Sequence, residues 1–588
     1  MWRGSTIRPC PQIRRDNVTS VHNSVDLVPQ GDGCLLSEAF FAEVCEGPVR
    51  GEVMHVLRRI ENTQRKLLIL GFERETRERA DVEVLVPDLG EAWDLLLLAE
   101  DAAPGVVDEV IMFPTVGLWF RRALETVVDG HVDTPAKRAE IGVVHAVAAA
   151  AALRAGLSFD IRVPVTQGVV SLPTVGQYEI AVDPSVDFVP LHHSEAGTKV
   201  EHVKFRPVRR HRSTASGVVL EVVFEDTDPH RAFADNPAAP DPLSDTEFER
   251  WCAQLDAAWE TLVGWDRRYA EELSVGLLSL APLTREGKLV GASSASAFGA
   301  IALCEKPSAD ELADALVHEL QHSKLNAVLE CASLHRTDEV DYFYAPWRDD
   351  PRPLNGVLHG IYAFTSVVEF WRARRGLVSE GRAAKADYAF VLRALQVRMA
   401  IDDIASTAQL NHWGRIFLDK LSSRLAVCED DLTEADRTGP VAKLVADHRA
   451  LWRVRHVVPD GPGIARLADA YLAGEAKLTG STLDHRIAEE PVPGASDRAP
   501  LFKAQALGLA TTHADPADLA CAAGDVEAAT AAYRRRLEAD PDDEQAWAGL
   551  TLTLNTARPE VARALHRELR TRAVDRPDPV RLAGWSAG

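Results

Sequence analysis

The sequence predicts an α+β protein that is predominantly helical, and three observations support this class. Apolar residues recur at the helical spacing of i, i+3 and i+4 through most of the chain. Alternating, β-branched segments are concentrated between residues 158 and 226. The length of 588 residues exceeds what one hydrophobic core usually supports, so we expect several structural regions.

These patterns divide the chain into five regions. We predict an irregular N-terminal tail over residues 1–33 and a helical region over residues 34–157, whose clearest helices are GEVMHVLRRIENTQRKLLILGF and IGVVHAVAAAAALRAGL. Residues 158–243 should form a mostly antiparallel sheet followed by a proline-rich linker. A helical region that carries a His-Glu-x-x-His motif spans residues 244–475, and a helical appendage spans residues 476–588.

One segment of the C-terminal appendage is similar to a known helical repeat. Gly524, Tyr533, Pro541 and Trp547 have the spacing of a tetratricopeptide-type helix pair. One clear copy is visible in the sequence, whereas a stable array needs several stacked copies. We therefore expect a short helical appendage and not a repeat array.

Charge and cysteine usage argue against several classes of protein. The net charge is −23 and the pI about 5.3, which disfavours a nucleic-acid partner and an anionic membrane surface. None of the eight cysteines forms a C-x-x-C pair, so we expect reduced thiols and no cysteine-ligated metal. The N-terminal segment has no apolar signal core, and the longest apolar runs are too short to span a membrane. We expect a cytoplasmic protein.

The stretch VHELQHSKL contains the metal-binding signature His-Glu-x-x-His. Ser308 and Glu311 form a capping pattern ahead of it, and no glycine or proline interrupts the segment that follows, which predicts a zincin-like motif helix. Because His318 and His322 are four residues apart, both imidazoles project from one helical face and can converge on one ion. Glu319 lies beside the first histidine and is the candidate catalytic carboxylate.

The third ligand decides the chemistry of such a site, because catalytic centres combine three protein ligands with one open position. The metzincin extension H-x-x-G-x-x-H is absent, since SKLNAVLEC follows His322. Glu369 would complete a peptidase-type site, and His359 is the competing ligand. On one helix these two residues would lie about 15 Å apart, so they cannot bind the same ion. We favour His359.

Two arginines lie in the loop YAPWRDDPRPLNG, just before His359. The planar guanidinium groups of Arg348 and Arg352 suit bidentate binding of a carboxylate. The alternative is that they form ordinary ion pairs with Asp349, Asp350 or Asp341. A histidine ligand beside carboxylate-binding arginines is more typical of an iron oxygenase that uses a keto acid than of a peptidase.

The segment GKLVGASSASAFGAIALCE is predicted to form paired strands that lead into the motif helix. Its part SAFGAIAL, residues 296–303, is a candidate surface for an extended substrate peptide, which would bind by strand addition. The alternative is a core strand that only supports the motif helix. The sequence leaves both open.

Four segments of the chain resemble one family of peptide-modification proteins. They are LVHELQHSKLNAVL, YAPWRDDPRPLNGVLHGIYAF, HRALWRVRH and LSEAFFAEVCEGPVRGEVMHVLRRI, and the resemblance extends from about residue 34 to residue 475. The family consists of HExxH-motif proteins found with ribosomally synthesised, modified peptides. Some relatives carry a fused radical-SAM maturation enzyme, but this chain lacks the C-x-x-x-C-x-x-C signature of that enzyme.

The resemblance implies an iron(II)- and 2-oxoglutarate-dependent peptide β-hydroxylase, with O₂ as oxidant, rather than a protease. It implies that His318 and His322 are the motif ligands of iron and that His359 is the third ligand. It does not distinguish Arg348 from Arg352 as the site for 2-oxoglutarate. The implied partner is a ribosomal precursor peptide, and any further maturation enzymes would be separate chains.

Two other functions stay open from the residues alone. In a zinc metallopeptidase, Glu319 would act as general base on a zinc-bound water, and Glu369 would be the third ligand. In the oxygenase, Glu319 would instead hydrogen-bond a metal-bound water or orient a ligand. The remaining alternative is a peptide-binding protein with a degenerate metal site.

Overall fold

Helices dominate the structure, which confirms the predicted class. About 59% of the chain is helical and 13% lies in strands, so this is a predominantly helical α+β protein. In the part that the computed structural model describes, no helix is both long enough and apolar enough to cross a lipid bilayer. The described residues are 27–29, 34–79, 85–130, 132–181, 186–201, 203–234, 236–283, 291–336, 341–377, 380–405, 407, 409–475, 483–490, 494–511, 514–572 and 577–586.

The four helices between residues 89 and 141 pack around an alanine-rich helix, Val143–Arg154. Its residues from Val143 to Ala152 are all buried, because the small alanine side chains allow neighbours to approach from every side. Both helices predicted most clearly are present, and the second begins after Gly142, where an added Cβ would meet the Phe188 ring at 2.2 Å. The helices of this region are Glu38–Cys45, Gly51–Arg77, Leu89–Ala102, Val106–Ile111, Pro114–Asp129, Pro135–Ile141 and Val143–Arg154.

A short hairpin precedes these helices. Leu27–Pro29, within the predicted tail, pairs antiparallel with Cys34–Leu36. This pairing differs from the irregular conformation predicted for the tail. The other residues of the predicted tail lie outside the described residues.

The prediction of one antiparallel sheet over residues 158–226 is wrong in its extent. The strands up to residue 207 form two separate three-stranded antiparallel sheets, and the next two strands join a third sheet. Alternation predicts strands but not which strands become neighbours, because pairing depends on contacts that are distant in sequence. The first sheet contains Phe159–Pro164, Phe188–Ser194 and Gly197–Lys199, and the second contains Val169–Leu172, Gly176–Glu179 and Lys204–Pro207.

We call the third, five-stranded sheet the mixed sheet. It joins two strands that precede residue 226 to three strands of the motif region. The pairings on either side of Ser279–Leu283 are parallel. Every residue of Ala300–Cys304 is buried, as expected for a parallel strand that is covered on both faces. In spatial order the strands are Gly291–Ala292, Ala300–Cys304, Ser279–Leu283, Val218–Phe224 and Arg209–Ala215.

The paired strands predicted ahead of the motif helix are present. Gly291–Ala292 pairs antiparallel with Ala300–Cys304, while residues 284–290 lie outside the described residues. Because Ala300–Cys304 has a strand neighbour on both sides, its backbone is not an open edge. The core-strand alternative therefore describes this segment better than strand addition does.

The motif helix runs from Ala309 to Leu329 and begins as predicted. Ser308 is its N-cap, and the Ser308 Oγ accepts a hydrogen bond from the Glu311 amide. It packs against Leu354–Arg374, which we call the His359 helix. The other helices of the motif region are Asp245–Trp265, Arg267–Gly276, Glu380–Ile404, His412–Glu429, Glu434–Thr438, Pro440–His456 and Gly461–Leu472, and its short strands are Tyr342–Phe343, paired with Arg352–Pro353, and Val457–Pro459.

The C-terminal appendage is helical, as predicted. Tyr533 and Trp547 are fully buried in one small core, so the two predicted helices form a packed pair. Gly524 ends the preceding helix with a positive φ of 78°, a conformation that favours glycine. The appendage contains the strand His485–Ile487, which pairs with Val457–Pro459, and the helices Ala499–Ala506, Pro516–Ala523, Val526–Ala539, Glu544–Thr553, Pro559–Thr571 and Pro579–Ser586.

A buried ion pair connects the motif helix to the helix Arg267–Gly276. The Lys324 Nζ lies 2.8 Å from the Glu272 Oε2, and neither side chain is exposed to solvent. Gln321 donates to the other Glu272 oxygen at 2.9 Å, and the Val49 amide donates to Oε2 at 2.6 Å. Both carboxylate oxygens are therefore hydrogen-bonded, which a buried charge requires.

We predict that Lys324→Met lowers the free energy of unfolding by about 3–5 kcal/mol, because it leaves the Glu272 carboxylate buried without its counter-charge. Denaturant titration of the full chain measures this change. Lys420→Met is the matched control, since Lys420 pairs with Glu46 at the surface and its removal should alter stability little. Equal destabilisation by the two variants would contradict the importance of the buried pair.

Candidate metal centre

The motif helix and the His359 helix bring three histidines together. The Nε2 atoms of His318 and His322 are 3.0 Å apart, and the ring centroids of these residues are separated by 4.7 Å. The ring of His359 faces that of His322, with 5.6 Å between the centroids. The predicted motif pair therefore has a third imidazole beside it, on the helix where the sequence indicated it.

Close packing on the His359 helix explains this position. An added Cβ at Gly360 would lie 2.1 Å from the Trp347 indole, so only glycine allows the indole to approach the helix so closely. The Trp347 ring in turn contacts Phe364, with 5.0 Å between centroids, and the Phe364 ring lies 4.5 Å from that of His318. These aromatic rings form an apolar wall beside the histidines.

Burial makes all three imidazoles neutral at ordinary pH. It lowers the pKa of His322 to about 4 and that of His359 to about 3, and it lowers the pKa of His318 well below its usual value. A neutral imidazole is the form that binds a metal ion, so protons do not compete for these nitrogens near neutral pH.

Glu319 is held beside the motif by the edge of the mixed sheet. The Ser293 Oγ donates a hydrogen bond to its Oε2 at 2.7 Å, and the other oxygen faces Gly291, whose added Cβ would lie 3.4 Å away. Burial raises the pKa of the Glu319 carboxyl to about 7. This carboxyl group can therefore hold or release a proton near neutral pH.

The competing ligand, Glu369, is engaged elsewhere. Its Oε1 accepts from Arg424 Nε at 2.9 Å, and its Oε2 accepts from Arg424 Nη2 at 2.8 Å and from the Tyr269 hydroxyl at 2.6 Å. These contacts form a bidentate ion pair supported by a third donor. The geometry therefore favours His359 over Glu369 as the partner of the motif histidines.

The two arginines singled out in the sequence both contact one aspartate. Arg348 Nε donates to the Asp350 Oδ1 at 2.8 Å, and Arg352 Nη1 donates to the Oδ2 of the same residue at 3.2 Å. Arg348 is also half-exposed to solvent. The ion-pair alternative considered for these arginines thus matches their geometry.

A different arginine, Arg393, lies next to the histidines. Its Cζ is 4.2 Å from the centroid of the Phe364 ring that contacts His318. Its Nη1 donates to the Gln396 Oε1 at 2.8 Å, and Gln396 in turn donates to the Pro346 carbonyl at 2.7 Å. No sequence motif marks this residue, because it lies on a separate helix, Glu380–Ile404, and only the packing of the helices brings it to the site.

The donor set fits a divalent metal ion. Two nitrogen ligands about 2.1 Å from one ion and at right angles to each other are about 3.0 Å apart. The Nε2 atoms of His318 and His322 have this separation. Within the described residues, no group of three or more His, Cys, Asp or Glu side chains has the spacing of a formed metal site.

The comparisons with known proteins assign no family to the chain. No model of a known protein family matches it. No curated protein matches it either. The resemblance to HExxH-motif peptide-modification proteins therefore stays a prediction, and the site itself is the basis for a functional proposal.

We predict that His359→Ala weakens metal binding by at least about 100-fold, because loss of an outer-shell partner alone typically costs 10–100-fold. Metal per chain after anaerobic gel filtration, together with chelator competition, measures the affinity. His412→Ala is the control, since this exposed histidine pairs with Glu38 at the surface, and it should bind metal like the unmodified protein. Metal retained in His359→Ala but lost in Glu369→Gln would contradict the assignment.

Proposed function

We propose that the protein is an iron(II)- and 2-oxoglutarate-dependent oxygenase that hydroxylates a side-chain β-carbon of a ribosomally synthesised precursor peptide. One observation carries the proposal: the imidazole of His359, and not the carboxylate of Glu369, faces the motif histidines. The resemblance of the motif segments to peptide-modification proteins supports the same activity.

His318, His322 and His359 would hold the iron. Bound iron(II) and 2-oxoglutarate supply the oxidising power for hydroxylation with O₂, and they yield succinate and CO₂. The three imidazoles are uncharged, so they leave the positive charge of the ion available to an anionic cosubstrate. The wall formed by Trp347 and Phe364 excludes water from one side of the centre.

Arg393 is the residue that we assign to the distal carboxylate of 2-oxoglutarate. It lies against Phe364 beside His318, and burial lowers the pKa of its guanidinium. Gln396 accepts a hydrogen bond from Nη1 and thereby orients the planar group, while the other N–H groups can donate to a carboxylate as a fork. Arg348 and Arg352, by contrast, already share Asp350.

Glu319 has a positioning role in this proposal. Its hydrogen bond from Ser293 fixes the carboxyl group next to the first motif histidine. There it can accept a hydrogen bond from a metal-bound water or orient a ligand, without taking part in the oxidation. Proton transfer by Glu319 is not required, because the oxygen that is transferred comes from O₂.

One observation favours zinc peptidase activity as the second candidate. The pKa of Glu319 near 7 suits a general base that takes a proton from a zinc-bound water. Three histidines also form known catalytic zinc sites. The glutamate ligand typical of the corresponding peptidases is missing, however, because Glu369 is bound to Arg424 and Tyr269.

We predict that the protein, supplied with iron(II), 2-oxoglutarate, ascorbate and its precursor peptide, adds one oxygen atom to the peptide and forms succinate without cleaving the backbone. Mass spectrometry of the peptide and succinate analysis measure both products. His322→Ala should abolish the reaction, whereas Glu319→Gln should keep measurable hydroxylation because the carboxyl only positions a ligand. Peptide cleavage with zinc alone, lost in Glu319→Gln, would establish the peptidase instead.

We predict that Arg393→Lys raises the KM for 2-oxoglutarate by about 10- to 100-fold and leaves metal content unchanged, because lysine keeps the charge but loses the fork. Anaerobic calorimetry of 2-oxoglutarate binding provides a readout that does not depend on turnover. Arg398→Lys is the matched control on the same helix, since Arg398 pairs with Glu429 away from the histidines. The assignment of Arg393 would be refuted if Arg348→Lys or Arg352→Lys, and not Arg393→Lys, raised the KM for 2-oxoglutarate.

A further inference from the structure

A cavity of about 560 Å³ lies apart from the histidines, where the mixed sheet meets the sheet that ends in Lys204–Pro207. Pockets of this size accommodate a small ligand or a large side chain. Its wall is formed in part by Phe224, residues 225–228 and the start of the helix Asp245–Trp265. These residues are distinct from those of the metal centre, so the cavity is a separate candidate site.

Buried carboxylates line this cavity directly after the strand Val218–Phe224. Glu225, Asp226 and Asp228 are only 7%, 6% and 2% exposed. Asp226 forms an ion pair with Arg209. The Glu225 carboxylate, in contrast, accepts a hydrogen bond from the backbone amide of Asp228 at 3.1 Å. The Asp228 carboxylate accepts one from the backbone amide of His230 at 2.7 Å. Two buried carboxyl groups therefore stand next to each other without a direct cationic partner in the described part of the chain.

The nearby arginine, Arg231, lowers the pKa of both carboxyl groups through its charge but donates no hydrogen bond to either of them. Arg231 donates to the backbone carbonyls of Asp228 and Ala239 rather than to a carboxylate. Burial, followed by the charge of Asp228, raises the pKa of Glu225 well above its usual value, and burial raises the pKa of Asp228 to about 6. A cation placed between the two carboxylates would offset the cost of burying their charges.

An independent observation points to a hydrogen-bond donor as ligand. Gln177 lines the same cavity and is 6% exposed, and among the described residues its Oε1 has no hydrogen-bond donor. The Ser171 Oγ, also on the wall, lacks a partner in the same part of the chain. Carboxylate and amide oxygens only accept hydrogen bonds, so this wall fits a group rich in N–H donors, such as guanidinium or ammonium.

The other charges and rings of the cavity are compatible with a cation. Of the three basic residues on the wall, Arg206 is paired with Glu179 and Arg209 with Asp226, and Lys204 is exposed to solvent. Trp119 also lines the cavity. The buried part of the wall, which holds Glu225, Asp226, Asp228 and Gln177, therefore has more acceptors than cationic groups.

Two strand edges next to the cavity indicate that the cation belongs to a peptide. Lys204–Pro207 is the last strand of its sheet, and Arg209–Ala215 is an edge strand of the mixed sheet. Both contribute residues to the cavity wall. Strand edges carry main-chain groups that can pair with an extended peptide, whose side chains then enter adjacent pockets.

We propose that this cavity binds an arginine or lysine side chain of the substrate peptide, at a position other than the hydroxylated residue. The inference rests on the proposed function for the identity of the peptide. Gly291, which lies beside Glu319, is three strand spacings, or about 14 Å, from the strand that ends at Phe224. About four to five extended residues cover that distance, so the basic residue and the modified residue should be separated by at least this number.

Calorimetric titration of the full chain with acetylated, amidated pentapeptides tests the proposal. The peptides contain glycine except at the central position, which is arginine, lysine, citrulline or glutamate. Citrulline has nearly the shape of arginine but no charge, so it should bind at least about tenfold more weakly than arginine. The lysine peptide should also bind, and the glutamate peptide should not. Equal binding of the arginine and citrulline peptides, or binding of none, would overturn the proposal.

Variants locate the binding in the cavity. Glu225→Gln should weaken binding of the arginine peptide at least about tenfold. Gln177→Leu is a second, separate variant, and it should also weaken this binding. Glu221→Gln is the matched control, because Glu221 is exposed on the same strand and pairs with Arg212. Near-ultraviolet circular dichroism checks that each variant is folded. Unchanged affinity in both cavity variants would overturn the proposal.

The titration requires neither metal nor turnover, so it separates this inference from the proposed function. Suppose that the protein never hydroxylates a peptide but binds the arginine peptide in a charge-dependent way that Glu225→Gln weakens. This result would refute the oxygenase proposal but support the cavity as a cation site. Hydroxylation of a precursor peptide without charge-dependent binding at the cavity would refute only this inference.

Discussion

The position of the motif histidines depends on the buried ion pair between Lys324 and Glu272. Lys324 lies on a different face of the motif helix from His318 and His322, so its bond to Glu272 fixes the rotation of the helix about its axis. Apolar packing alone is non-directional and would tolerate other rotations. A turn by one residue step, about 100°, would carry both imidazoles away from the His359 helix. Burying this ion pair costs desolvation free energy, and the pair is explained by its role in specifying one rotation of the motif helix.

The two sites of the protein have opposite electrostatic character. At the histidine centre, burial keeps the imidazoles neutral, and Arg393 adds a positive charge beside them. At the second cavity, Glu225 and Asp228 accept hydrogen bonds from backbone amides and form no direct ion pair among the described residues. Under the proposed function, the first site suits a metal and an anionic cosubstrate, and the second suits a basic anchor of the peptide. Chemistry would then lie between the motif helix and the His359 helix, and recognition would lie at the end of a mixed-sheet strand.

Local patterns made part of this structure predictable. The capping residue Ser308 and the four-residue histidine spacing determine the start and the face of the motif helix, and the arginine-containing loop ahead of His359, with the resemblance, indicated the third imidazole. Arg393 could not be found in this way, because its helix carries no motif and reaches the site only through helix packing. The division of residues 158–226 among three sheets was likewise out of reach, since strand neighbours are chosen by contacts distant in sequence. The partner of Lys324 is non-local for the same reason.

Anaerobic optical titration of the iron(II)-loaded protein with 2-oxoglutarate tests the central claim most directly. A keto acid that chelates iron(II) produces metal-to-ligand charge-transfer absorption in the visible range, which reports cosubstrate at the metal before any turnover. We expect this absorption to appear and saturate in the unmodified protein, to persist in Glu319→Gln and to be absent in His359→Ala. A spectrum that 2-oxoglutarate leaves unchanged, in protein that contains one iron per chain, would contradict the account.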